Sequence, residues 1–117
     1  MNRAVELGLV AVVGLLLTGF LSGCQTTGQT AQSGALVRAR AAVEQGDYEF
    51  ALQRLDAAES YYQPAPETKA EILYLKGIAY EALQRPAQAK ASFQQAAQQY
   101  PTTVFGNRAR EKLTLMR

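Results

Sequence analysis

Apolar residues recur along this chain in two different ways. From Leu7 to Leu21 they run almost without interruption, broken only by Gly8, Gly14, Thr18 and Gly19, with Arg3 ahead of them. The run is shorter than the roughly 20 residues that span a bilayer and ends in small residues, so it reads as the apolar core of a secretory leader. From Gln25 to Gly34 the chain has neither a charge nor a large apolar side chain. Such a segment cannot bury enough surface to fold and reads as a tether, with an end-to-end distance of roughly 17 Å. Beyond it the apolar positions fall at helical spacing: Ile72, Leu75, Ile78, Ala79, Ala82 and Leu83, then Ala89, Phe93, Ala96, Ala97 and Tyr100. No stretch alternates as a strand would, which predicts an all-α domain of four helices and a fifth. Gly46-Asp47 ends one helix and caps the next, Thr68 to Glu71 has the form of a capping box, and Pro86 suits a first helical turn. Pro64 and Pro66 separate two helix pairs, and Pro101 ends the fourth helix.

Composition acts mainly by exclusion. The chain has no His, no Trp, a single Cys and only two Asp, Asp47 and Asp56. His-based acid-base chemistry, Ser-His-Asp sites and His/Cys zinc sites are therefore removed, so the expectation is no enzyme, no metal and no cofactor. Twelve Lys+Arg against ten Asp+Glu give a net charge of +2. That is too mild for a nucleic-acid groove. Charge is nevertheless uneven: Arg85, Lys90, Arg108, Arg110, Lys112 and Arg117 face Glu111 alone over residues 85–117, a net of +5. Residues 34–84 carry five cations and eight anions, a net of −3. The basic end could touch anionic headgroups or an acidic partner, or be a solvated helix face with cations near helix C-termini. The acidic cluster Glu44, Asp47 and Glu49 lacks the ligand spacing of a calcium loop and reads as turn and cap chemistry.

The segment Leu21-Ser22-Gly23-Cys24 follows the apolar run directly and closely resembles the lipobox of bacterial lipoproteins. The resemblance implies a signal peptide over 1–23, a covalent lipid on Cys24, and the tether over the rest of 24–34. Two or three acyl chains would make the anchor effectively permanent. Gln25, where inner-membrane retention favours Asp, implies a place in the outer membrane, facing the periplasm. With Cys24 committed to lipid, no thiol remains for a disulfide, and the domain over 35–117 must be stabilised by packing.

That domain repeats itself. A shift of 38 residues places Ala39 on Gly77, Ala42 on Tyr80, Ala51 on Ala89, Leu55 on Phe93 and Ala58 on Ala96. In the second copy Gly77, Tyr80, Ala89, Phe93, Ala96 and Pro101 follow one another at the spacing of the tetratricopeptide repeat, and the first copy, with Gly46, Tyr48, Ala51, Leu55 and Ala58, resembles it more loosely. The resemblance implies antiparallel helix pairs stacked as a short solenoid, about two repeats plus a capping helix over Val104 to Arg117. The family period is 34, so an extra turn is expected after Ala58 through Tyr62 or in the Pro64-Ala65-Pro66 loop. Tyr48, Tyr80, Phe93 and Tyr100 read as a core stripe, and Tyr61-Tyr62 as a packing plug.

In the family the first helix of each pair lines a concave groove for a peptide or partner helix. On this chain the resemblance places there Leu36, Arg40, Val43 and Glu44, then Glu71, Tyr74, Ile78 and Glu81, then Phe105, Arg108 and Lys112. A surface mixing an aromatic, apolar spots and both charges suits protein contact. The implied function is a non-catalytic, lipid-anchored scaffold of the cell envelope that binds an envelope protein or peptide in outer-membrane assembly, secretion or pilus biogenesis, or a cell-wall complex. The alternatives are an accessory regulatory subunit of a cell-wall enzyme and a self-assembling structural component, since two repeats are few for an isolated solenoid and a homo-oligomer would add surface.

Overall fold

The computed structural model describes residues 32–61 and 64–117. The leader, the lipobox, Cys24, the tether as far as residue 31, and Tyr62 lie outside them. The described residues form helices α1 (residues 32–45), α2 (Tyr48–Tyr61), α3 (Pro66–Ala82), α4 (Pro86–Gln99) and α5 (Val104–Leu115), with no strand among them. Helix α2 packs on α3, α3 on α4, and α5 on both α3 and α4. The result is an all-α stack of antiparallel helix pairs closed by one further helix.

Helix α3 is the shared wall of two apolar clusters. Ile72 packs with Leu36, Leu55, Ala35, Ala39 and Ala58, whereas its neighbour Leu73 packs with Ala89, Phe93, Ala96 and Ala109. Leu55, Ile72 and Phe93 are the largest fully buried side chains among the described residues. Each contributes about 1.5–3 kcal/mol by leaving water. The 38-residue period is the period of the core: Ala39 and Gly77, Ala51 and Ala89, Leu55 and Phe93, and Ala58 and Ala96 are all buried.

The two inter-helix turns match in the same register. Gly46 ends α1 with φ +80°, and Asp47 N–H donates to the Ala42 carbonyl while Gly46 N–H donates to that of Val43. After α3 the same two bonds run from Arg85 to Tyr80 and from Gln84 to Glu81. Both turns are left-handed helix ends of the Schellman type, yet in the second the left-handed position holds Gln84, at φ 58°. Asp47 then accepts a bond from Phe50 N–H at 3.3 Å, opening α2. Pro66 and Pro86 stand at the first turns of α3 and α4, where a missing N–H costs nothing.

Several expectations are corrected. Residues 32–34, assigned to the tether, are helical, and buried Gln32 donates its side-chain amide to the Ala58 carbonyl at 3.2 Å. An uncharged polar segment can therefore fold where the partner helix satisfies its polar groups. Thr68 to Glu71 is no capping box. Pro66 starts α3 earlier, Ala65 is the cap residue, and the Glu71 carboxylate is taken by Arg40. The extra turn lies at the start of α3, which has 17 residues where α2 and α4 have 14 each. Tyr61 is exposed and plugs nothing. Of the aromatic stripe only Phe93 is fully buried; Tyr48, Tyr80 and Tyr100 are half-buried.

Candidate partner-binding face

The odd-numbered helices α1, α3 and α5 lie side by side, and two shallow hollows mark their seams. The first, about 250 Å³, is lined by Gln32, Ser33, Leu36, Val37, Arg40, Thr68 and Glu71. Its floor is an ion pair. Arg40 Nε and Nη2 donate to the two Glu71 carboxylate oxygens at 2.5 and 2.7 Å, a two-pronged geometry that fixes both side chains. The bond to Glu71 raises the Arg40 pKa above its ordinary value against the opposing effect of burial. Leu36, expected on the groove surface, is only 7% exposed and belongs to the core, with an edge left in the hollow. Its reassignment follows from helix α2, whose Leu55 and Ala58 close over it.

The second hollow, about 260 Å³, is lined by Tyr74, Arg108, Glu111, Lys112 and Leu115. Tyr74 is held between two rings, with centroids 5.8 Å from Phe93 and 5.5 Å from Phe105. The Arg108 guanidinium sits 5.3 Å from the Phe105 ring centroid. Lys112 Nζ approaches Glu81 at 3.4 Å, tying the end of α3 to α5. Ile78 is half-buried against the second cluster, Val43 is half-buried, and Glu44 is exposed towards the end of α1. The structure thus brings Tyr74, Arg108 and Lys112 into one hollow and places Arg40 with Glu71 in the other.

Glu111, Leu115, Val37 and Thr68 also line the face. The repeat register locates two of them. Moving back by the family period of 34 residues carries Glu111 onto Gly77 and Asn107 onto Leu73, both buried in α3, and Leu115 onto Glu81, which is exposed. Helix α5 is polar or exposed where α3 packs its successors, so it closes the stack, and the second hollow is that closing surface.

A separate charge network joins α2 to α3 away from this face. Lys69 and Lys76 both bond Glu59, and Lys76 also lies 2.6 Å from Asp56. Burial pushes the Glu59 carboxyl up, but hydrogen bonds from Lys69 and Lys76 outweigh it and leave the pKa below its ordinary value. Burial likewise pushes Lys76 down, and its bonds to Asp56 and Glu59 leave it raised. No group of three or more His, Cys, Asp or Glu among the described residues could hold a metal ion.

Neither the curated proteins nor the solved structures offer a match to the chain. One family model does match, and it begins one turn inside α3, after the extra residues 66–69. Tetratricopeptide repeats mediate protein–protein contact and are typically non-catalytic scaffolds. Residues 70–103, which supply Tyr74, Gly77 and Phe93, are a tetratricopeptide repeat.

Proposed function

We propose that the protein is a lipid-anchored scaffold of the bacterial cell envelope, held through Cys24 in the outer membrane and facing the periplasm, which binds an envelope protein across α1, α3 and α5. The observation that carries the binding role is the second hollow. A rigid aromatic, Tyr74, stands beside the cations Arg108 and Lys112 and the exposed Leu115. Aromatic and Arg anchors next to apolar surface are what protein interfaces use for most of their energy. The pairing of Arg40 with Glu71 leaves the first hollow close to neutral, so it suits an extended apolar or polar segment rather than an acidic tail. Outer-membrane assembly, secretion or pilus biogenesis and cell-wall synthesis are the settings this reading covers.

Site-specific photocrosslinking in intact cells tests it. A crosslinker at position 108 or 115 is expected to trap a discrete envelope protein, and one at position 94, exposed on α4, is not. Arg108→Glu with Leu115→Ser is expected to abolish the crosslink from position 111 at unchanged helicity, since both side chains are exposed. Identical products from positions 94 and 108 would place the working surface elsewhere.

A further inference from the structure

The helices alternate in direction, so the stack has two ends of very different chemistry. One end gathers the start of α1, the end of α2, the start of α3, the end of α4 and the start of α5. The Gln32–Ala58 bond, the Glu59–Lys69 pair and the Tyr100–Thr103 turn hold it together. Its charges are Glu59 and Lys69, paired with each other, and Glu67. The terminal segments of α4 and α5 there, residues 96–107, carry none. Tyr61 and Val104, each 56% exposed, stand on this end beside Ser60, Pro101 and Thr102. The opposite end bears Glu44, Asp47, Glu49, Glu81, Arg85, Lys90, Lys112 and Arg117.

The weakly charged end is also where the chain enters the domain. Seven residues separate Cys24 from Gln32. Even fully extended, that length reaches no more than roughly 25–30 Å. We propose that this end of the stack rests on the bilayer surface, with Tyr61 and Val104 at the headgroup level and the helix axes steep to the membrane. The inference depends on the anchor at Cys24 proposed above. Tyrosine is favoured at that depth because its ring is apolar and its hydroxyl stays wet. With Glu67 its one unpaired charge, the end draws nothing from anionic lipid, and two exposed apolar side chains bind weakly on their own. The tether converts that weak contact into a persistent one by holding the end at an effective concentration on the order of millimolar. In this pose the hollow between α3 and α5, lined by Tyr74, Glu111, Lys112 and Leu115, opens sideways above the membrane, whereas the hollow between α1 and α3 begins at the docked end with Gln32, Ser33 and Thr68. The charged end stands about 25 Å above the surface, the length of α3.

The absence of Trp from the chain makes the test direct. Three single reporters, Tyr61→Trp, Val104→Trp and, at the far end, Leu115→Trp, are placed in the mature lipidated protein. Each is reconstituted in phosphatidylcholine vesicles with and without brominated acyl chains. Intact mass reads the lipid on Cys24 and fluorescence reads the docking. The expected result is a blue shift and a loss of emission in brominated vesicles for the first two reporters and neither for the third. Adding Tyr61→Glu to the Val104→Trp chain is expected to restore its emission with helicity unchanged. A lipidated chain whose three reporters behave alike overturns the docking and leaves the anchor standing. A blue shift at Tyr61→Trp without quenching by bromine means that protein, not lipid, covers this end, and overturns it too. A mature chain with no lipid mass overturns both.

Discussion

Gly77 of α3 presents its bare backbone to the ring of Phe93 on α4. A Cβ at Gly77 would lie 2.6 Å from Phe93 Cδ1 and 2.7 Å from Cζ, with Phe93 fully buried and unable to withdraw. The close approach of α3 and α4 therefore depends on a missing methyl group. Gly77→Ala improves helix propensity by about 1 kcal/mol. It also overpacks the core, at a cost of about 1–3 kcal/mol. The expected outcome is net destabilisation in urea unfolding, partly relieved in the Gly77→Ala, Phe93→Leu double variant.

Gln84 offers the opposite effect. It holds the left-handed position that Gly46 holds one repeat earlier, with the same pair of turn hydrogen bonds. Gln84→Gly removes the steric cost of that conformation and is expected to raise stability by about 0.5–1 kcal/mol. Gly46→Gln is expected to lower it by a similar amount, and thermal unfolding of the two variants checks both signs.

Helix α5 depends on Thr103. Its hydroxyl accepts from Gly106 N–H at 2.9 Å and donates to the Tyr100 carbonyl at 2.7 Å, and the residue is buried. Thr103→Ala is expected to cost about 1–2 kcal/mol. Because α5 is the terminal element, hydrogen exchange should speed up in α5 more than in α2. Uniform acceleration would mean that the stack unfolds as one unit.

The charge network on α2 and α3 sets a pH dependence. The Glu59 pKa is lower in the folded state, so its stabilisation is present above the ordinary carboxylate value and is lost as pH falls through the folded value. The Lys76 pKa is raised, so its stabilisation is present below the ordinary lysine value and is lost as pH rises through the folded value. Both contributions are in place at neutral pH. Unfolding midpoints measured against pH are expected to drop at the acid and alkaline extremes. Lys76→Gln should flatten both limbs, because it removes one titrating group and relaxes the other.

Arg40 and Glu71 are unequal partners. The Glu71 side chain is 11% exposed and that of Arg40 is 48% exposed. Arg40→Ala strands a nearly buried carboxylate, whereas Glu71→Gln frees an Arg that can turn to water. The first is expected to cost about 1–3 kcal/mol and the second less. Equal losses in denaturant titrations would show that Glu71 is solvated in the unpaired state.

Much of the fold is legible in the order of residues. Helical periodicity excludes strands, and the 38-residue self-match marks Ala51, Leu55, Ala58, Ala89, Phe93 and Ala96, because a packing position in a repeat recurs with the repeat. Gly46 announces its turn, since glycine alone adopts positive φ without steric cost. The rest is settled by contacts between helices. Gln84 takes up the same turn without any sign in its identity, Gln32 enters a helix because Ala58 accepts its amide, and Glu71 leaves a cap for Arg40. Leu36 is core because α2 covers it, and Tyr61 is exposed because nothing does. Periodicity reports which way a side chain points from its own helix. Whether something waits there to bury it, pair with it or leave it in water depends on residues far along the chain.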